Sequence, residues 1–111
     1  MAYDEDLADR MRELLAEEAD LSERKMFGGL AFLLGGHMVV AASGQGGALV
    51  RVDPDDADRL LDRTGAEPMV MRGRPMAGWL RVSSDDLRTK RQLARWVGLA
   101  TTYVRTLPPK R

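Results

Sequence analysis

Side chains that commonly act as nucleophiles, bases or metal ligands are scarce in this sequence. The 111 residues include one histidine, His37, and no cysteine. A cysteine nucleophile and a thiolate metal site are therefore excluded, and a histidine metal centre or a Ser-His-Asp triad lacks its partners. His37 lies beside a predicted glycine turn, where a polar ring needs no catalytic explanation. We predict no catalytic residues, no metal, no cofactor and no enzymatic activity, and a small enzyme with a dispersed site is the least favoured alternative.

Two further patterns resemble functional motifs but have structural explanations. The carboxylate pairs Asp55-Asp56 and Asp85-Asp86 each fall in the first turn of a predicted helix, where negative charge complements the helix dipole. The segment Gly44-Gln45-Gly46-Gly47 resembles a phosphate-binding loop, but a strand is predicted to follow it, whereas such loops precede a helix. We interpret the carboxylates as helix-terminal residues and the glycine segment as a flexible hairpin loop.

Residues 71–82 combine arginines, glycines, a proline and a tryptophan beside a predicted strand. Arginine next to an accessible aromatic ring suits phosphate contact and base stacking. Strand alternation places Trp79 and Arg81 on the side opposite Leu80. The favoured interpretation is nevertheless a structural turn in which Trp79 covers the edge of the sheet.

Seven methionines are a large number for a chain of this length. The hydrophobic pattern places Met11, Met26 and Met76 at core positions. Met69 and Met71 either fill gaps in the core or form an adaptable binding surface, a use to which the flexible thioether side chain is suited. Core filling is the favoured interpretation.

Charge is segregated along the chain although the formal net charge is zero. Residues 1–20 contain eight acidic and two basic residues, and residues 72–111 contain ten basic and two acidic residues. The favoured interpretation is intramolecular, with the acidic first helix packed near the basic last one. A charged partner is the alternative.

Hydrophobic periodicity predicts three helices. The first covers about residues 4–19. The second begins at Asp53-Pro54, where the aspartate caps free amides and the proline occupies the first helical position. Gly65 is predicted to end it in a left-handed conformation. Ser83 or Ser84 is predicted to cap a long last helix.

Apolar runs between turn signals predict the strands. Their ranges are 25–34, 38–42, 48–52 and 76–82, with 69–71 as an ambiguous addition. Gly35-Gly36 predicts a hairpin turn because both positions can adopt a positive φ. Gly28-Gly29 lies inside the first predicted strand, where it indicates a bulge or a close backbone approach. The order α-β-β-β-α-β(β)-α predicts an α+β two-layer sandwich, an antiparallel sheet with helices mainly on one face.

Length and hydropathy predict the organisation and location of the chain. A chain of 111 residues predicts a single domain, 1–111. The N-terminus is acidic and has no apolar signal-peptide core, and the longest apolar stretch, 26–34, is too short to span a bilayer. We therefore expect a cytoplasmic protein without a membrane partner.

Two motifs and the order of the elements match a known pattern. The motifs are Lys25-Met26-Phe27-Gly28-Gly29 before an apolar strand, and Met71-Arg72-Gly73-Arg74-Pro75-Met76 followed by Gly78-Trp79. Over residues 5–107 the sequence resembles the N-terminal domain of the TfoX/Sxy competence regulators. The resemblance implies an α/β two-layer fold. It also implies a stand-alone single-domain member, because the 111 residues do not include the second, helical domain of the better-known members.

The resemblance implies positive regulation of DNA-uptake genes alongside a cyclic-AMP-responsive activator, with no established catalytic residues. We therefore predict a non-enzymatic regulatory domain of bacterial transcription that contacts a protein partner. The candidate interaction surface is Phe27, Gly28, Gly29, Arg72, Arg74, Trp79 and Arg81.

The alternative function is direct nucleic-acid binding through the basic residues of the C-terminal half. These residues are Arg72, Arg74, Arg81, Arg88, Lys90, Arg91 and Arg95. Such binding would weaken steeply with salt, because phosphate contacts release counterions. The zero net charge and the lack of a helix-turn-helix, zinc or RNP signature count against it.

Overall fold

The computed structural model describes residues 3–26 and 28–108. Within them the chain forms a six-stranded sheet, three α-helices and one short 3-10 helix. The strands are β1 (Leu21–Met26), β2 (Gly29–Leu34), β3 (His37–Ala42), β4 (Ala48–Arg51), β5 (Glu67–Met71) and β6 (Arg74–Val82). The helices are α1 (Glu5–Leu14), α2 (Pro54–Arg63), the 3-10 helix (Ser84–Leu87) and α3 (Lys90–Val104).

The sheet is antiparallel throughout, with the strand order β1-β2-β3-β4-β6-β5. All the helices pack on one face, where their apolar side chains share a core with Phe32, Val50 and Leu80 of the sheet. Alternate residues of each strand face away from the helices. The predicted α+β two-layer fold, with helices on one face of an antiparallel sheet, is confirmed.

A bulge in β3 adapts the sheet to the helical layer. Phe32 pairs with Val40 and Leu33 pairs with Met38, so Val39 is an extra residue in β3. An extra residue allows two consecutive side chains to face the same way. Val39 and Val40 are both fully buried in the core beneath the helices.

The hairpin turn predicted at Gly35-Gly36 is confirmed. The two glycines have φ values of 57° and 85°, and Leu34 pairs with His37 across them. A two-residue turn with positive φ at both positions matches the right-handed twist of the flanking strands.

The prediction of one strand over residues 25–34 is wrong, because the chain reverses inside this segment. Met26 pairs with Gly29, Gly28 has a φ of 76°, and β1 and β2 are separate antiparallel strands. The close backbone approach expected at this glycine pair is confirmed at Gly29. A Cβ atom there would lie 2.4 Å from the carbonyl oxygen of Ala42. Sequence reasoning missed most of β1 because its edge position exposes charged residues that do not form an apolar run.

The predicted start of α2 is confirmed, and its predicted end is wrong. An Asp53 carboxylate oxygen accepts a hydrogen bond from the Asp55 amide at 2.9 Å, and Pro54 is the first helical residue. The helix ends before Thr64, which is extended with a φ of −128°, and Gly65 does not adopt a positive φ. The Thr64 hydroxyl and the Thr64 amide both donate to the Leu60 carbonyl, at 2.7 and 3.0 Å, so Thr64 closes the helix without a glycine cap.

The long last helix begins later than predicted. Ser83 caps the 3-10 helix, and Thr89 caps α3. The Thr89 hydroxyl accepts a hydrogen bond from the Gln92 amide at 3.0 Å, while the Gln92 side chain accepts one from the Thr89 amide at 2.9 Å. This reciprocal capping box explains why the α-helix starts at Lys90.

The first helix is also shorter than predicted, because α1 ends at Leu14. The residues that follow connect it to the last helix. Glu18 forms an ion pair with Arg105 just beyond α3, and the Arg10 guanidinium donates to the Arg88 carbonyl at 3.2 Å. The Glu18–Arg105 ion pair supports the intramolecular interpretation of the charge segregation for these two residues.

Candidate functional site

The face of the sheet opposite the helices carries its own apolar cluster. Ala31, Leu33 and Ala41 are buried there, and Met38 and Leu49 pack against them. These residues alternate with the core residues of the same strands, so the sheet is apolar on both sides at its centre. Among the described residues, no helix covers this second cluster.

Five of the seven methionines line one groove on this open face. They come from four strands: Met26, Met38, Met69, Met71 and Met76. The groove has a volume of about 500 Å³, which lies within the range of protein ligand sites. We call it the methionine groove.

The methionine groove extends across the whole width of the sheet. Its lining includes Met26 of β1 and Met71 of β5, which are the two edge strands. Six strands spaced about 4.8 Å apart separate the edges of a flat sheet by roughly 24 Å. The groove is therefore built by the sheet as a whole rather than by neighbouring strands alone.

An irregularity in β6 shapes one wall of the groove. Pro68 pairs with Leu80 and Val70 pairs with Pro75, so one residue of β5 faces four residues of β6 between these pairs. The additional residues include Met76 and Trp79, which both line the groove. Bulges of this kind redirect side chains and are frequent beside functional sites.

The most exposed large apolar side chains in the described part of the chain also lie in the methionine groove. Val70 is 57% exposed and Met76 is 37% exposed. Exposed apolar surface in a concave site is typical of a binding surface. The groove is therefore the candidate functional site.

The model of the TfoX N-terminal domain matches residues 13–103. The chain belongs to the TfoX N-terminal domain family. All the residues that line the methionine groove fall within the matched range. No curated protein and no solved structure matches the chain.

The two motifs characteristic of this TfoX N-terminal domain meet in part at the methionine groove. Gly29 of the first motif and Trp79 of the second both line it, and so does Arg81. Gly28 is exposed in the turn between β1 and β2. Phe27 lies outside the described residues.

The other two predicted site residues are not in the groove. Arg72 and Arg74 are exposed at the turn between β5 and β6, where Arg72 and Gly73 have φ values of 54° and 78°. In this family member the predicted interaction surface therefore falls into two parts. One part lines the methionine groove, and the other lies at the turn between β5 and β6.

Trp79 is half-buried and has a cationic neighbour within the protein. The Arg51 guanidinium carbon lies 5.2 Å from the centroid of the Trp79 ring and 5.6 Å from that of Tyr103 in α3. Distances below about 6 Å are typical of cation–π contacts. Trp79 therefore lines the groove and is also linked to α3 through Arg51.

Sequence reasoning missed several groove residues. Met26 and Met76 were predicted in the core, but they line the groove, and Met38 and Leu49 were not proposed as site residues. The prediction for Met11 is confirmed, because it is fully buried in the main core. The number of methionines was the available signal, but assigning them to one site required the strand order.

Two arginines give the methionine groove a positive character. Arg24 of β1 and Arg81 of β6 line it, and no aspartate or glutamate is among its lining residues in the described part of the chain. Glu23 does not neutralise Arg24, because Arg12 of α1 binds its carboxylate through two bonds of 2.6 and 2.8 Å. This hydrogen bonding lowers the pKa of Glu23 and raises that of Arg12.

The described residues provide neither a metal-binding cluster nor a membrane-spanning helix. No group of three histidine, aspartate or glutamate side chains there is placed to hold a metal ion. None of the described helices combines the length and apolar character needed to cross a membrane.

Proposed function

We propose that this TfoX N-terminal domain is a non-enzymatic regulatory domain that acts in transcription by binding another protein. The methionine groove is the proposed binding site. The observation that supports the proposal most directly is that Val70 and Met76, the most exposed large apolar side chains described, lie in the same concave site. Burying apolar surface contributes about 25 cal/mol per Å² to a complex before the cost of association is subtracted.

The composition of the groove suits a protein partner. Methionine side chains are flexible and polarisable, so a surface rich in them can adapt to the side chains of another chain. The half-buried Trp79 adds an aromatic residue of the type that often contributes most to binding energy. Arg81 supplies a charged group at the same surface.

A photoactivatable methionine analogue tests the proposal directly. When it is incorporated in living cells in place of methionine, light attaches any partner in the groove to Met26, Met38, Met69, Met71 or Met76. Met11 is an internal control, because it is fully buried and should attach only to residues of its own core. Mass spectrometry of the attached peptides identifies the partner and the contact residue.

Matched variants make the experiment specific. Val70→Asp places a charge in the groove and should abolish the attachment. Ala16→Asp adds the same charge at an exposed position outside the groove and should leave it unchanged. Capture of the same proteins by both variants, or no attachment at the groove methionines, would overturn the proposal.

Nucleic-acid binding is the competing outcome. The basic residues that this function would use are divided between the groove, the β5–β6 turn and α3 with the segment before it. Arg88 pairs with Asp85 at 2.8 Å, and Arg95 lines a depression with Asp53 and Asp56. These acids oppose phosphate binding. A titration with duplex DNA at two salt concentrations that gave tight, steeply salt-dependent binding would favour nucleic acid over a protein partner.

A further inference from the structure

We infer that the segment bound by the methionine groove is an amphipathic α-helix whose apolar stripe is flanked on both sides by carboxylates. This inference rests on the proposed function, because it names the chemistry of the partner segment.

One row of paired residues crosses the sheet on its open face. Strand pairing aligns Arg24 with Ala31, Ala31 with Ala41, Ala41 with Leu49, and Leu49 with Arg81. All five residues line the groove or belong to the cluster at its floor. The row therefore has an arginine at each end and an apolar centre.

The apolar centre of the row is wide enough for an α-helix of a partner protein. Ala31 and Ala41 have small side chains, so the floor between the two arginines is low. Arg24 and Arg81 are four strand spacings apart, roughly 19 Å in a flat sheet. An α-helix with its side chains is about 10–12 Å wide. A helix lying along the strands fits between the arginines, whose long side chains extend toward its flanks.

Both arginines are available to a partner. Among the described residues, neither guanidinium forms an ion pair within 4.0 Å. Glu67 pairs with Arg81 in the β5–β6 register without forming a salt bridge, and Glu23 is bound by Arg12. A helix with carboxylates on both flanks would supply the missing negative charge.

An added β-strand is a less suitable occupant. The edge strand β1 exposes Glu23, Arg24 and Lys25 in succession, and β5 contains Pro68, which has no amide hydrogen. Charged residues and proline protect sheet edges from further pairing.

Methionine-methyl NMR tests the inference with the whole chain. The probe is a synthetic helical peptide of about four turns with a leucine stripe and glutamates on both flanks. The first control replaces every glutamate with lysine, and the second keeps the glutamates but contains two prolines that break the helix. The glutamate helix should shift the methyl signals of Met26, Met38, Met69, Met71 and Met76 and leave that of Met11 in place. Both controls should bind at least about tenfold more weakly.

A charge-reversed protein gives the decisive comparison. In Arg24→Glu/Arg81→Glu the preference should invert, so that the lysine peptide binds at least about tenfold more tightly than the glutamate peptide. If this variant does not fold, as judged by circular dichroism, Arg24→Gln/Arg81→Gln should lose the preference for the glutamate peptide. Equal binding of the two charged peptides to the wild-type protein, equal binding of the proline-containing peptide, or no shift at the groove methionines would overturn the inference.

These failures are separable from failure of the proposed function. Attachment of a partner to the groove methionines without any preference for the glutamate helix would refute the helical acidic segment and retain protein binding. Loss of both results would refute both proposals.

Discussion

At the scale of single residues, two glycines show how context decides the effect of the same substitution. Gly29→Ala should destabilise the fold by about 1–3 kcal/mol, because the added Cβ would lie 2.4 Å from the Ala42 carbonyl oxygen. Gly98→Ala should stabilise it by about 0.5–1 kcal/mol, since Gly98 is exposed inside α3 with nothing within 4 Å of the added atom. Urea denaturation measures both. A neutral result for Gly29→Ala would contradict the close β2–β3 approach.

Arg72 is a second residue whose backbone constrains its choice of side chain. Its φ of 54° is costly for arginine and less so for asparagine. Arg72→Asn should therefore raise the free energy of unfolding by a few tenths of a kcal/mol, whereas Arg72→Val should lower it by about 1 kcal/mol or more. Thermal melts of the two variants test this prediction, and equal melting temperatures would contradict the left-handed conformation.

At the scale of elements, the ion pair between α1 and β1 predicts a pH dependence. The pKa of Glu23 is lowered in the folded state by hydrogen bonds from Arg12. The pair's stabilisation is therefore complete above the unfolded-state pKa of about 4.3 and is lost as the pH falls through the lower folded-state value. Because both side chains are partly exposed, the contribution is about 0.2–1 kcal/mol.

Comparison of two glutamate variants isolates this contribution. Glu23→Gln should be less stable than wild type at pH 7, and the difference should vanish in acid. Glu17→Gln, at an exposed glutamate without an ion pair among the described residues, should match wild type at both pH values. Denaturation curves at pH 7 and pH 3 provide the measurement. A Glu23→Gln deficit that persisted at pH 3 would rule out the ion pair as its cause.

The elements also show which features a sequence of this kind reveals. Helices were predictable because their stripes are long, as in α3, where Trp96 and Val104 are buried at the expected spacing. Element ends were less predictable, since the start of α3 depends on a capping box at Thr89 rather than on the preceding serines. The strand β1 was largely missed because exposed charges at a sheet edge resemble a loop.

At the scale of the whole molecule, the sheet separates the helical core from the proposed binding groove. Phe32 and Leu33 are neighbours in β2, but Phe32 faces the helical core and Leu33 faces the groove cluster. This division was not predictable from the sequence, because both faces are apolar and strand alternation cannot show which one is covered. The groove also depends on β6 lying between β4 and β5, a long-range pairing that no local pattern indicates.

A pair of truncations tests the separation of the two faces. Phe32→Ala should cost about 3–5 kcal/mol, because it leaves a cavity at a fully buried position. Met76→Ala should change stability by no more than about 0.5 kcal/mol, since the side chain is 37% exposed. Binding of the partner or of the glutamate-flanked peptide should nevertheless weaken in Met76→Ala. A large loss of stability in Met76→Ala would show that the open face also supports the fold.

Oxidation of methionine should distinguish the two faces in a single sample. Hydrogen peroxide converts the thioether to a polar sulfoxide and reacts first with accessible side chains. Among the methionines that the structure describes, Met76 should therefore be oxidised first, the four other groove methionines next and Met11 last, because Met11 has no exposed surface. Peptide mass spectrometry over time measures the order.

Oxidation of the groove should abolish binding of the glutamate-flanked peptide while the circular dichroism spectrum remains that of the native fold. Prior addition of that peptide should slow oxidation of the groove methionines. Oxidation of Met11 at the rate of Met76 would mean that the core opens as readily as the groove, and the separation of the two faces would then be wrong.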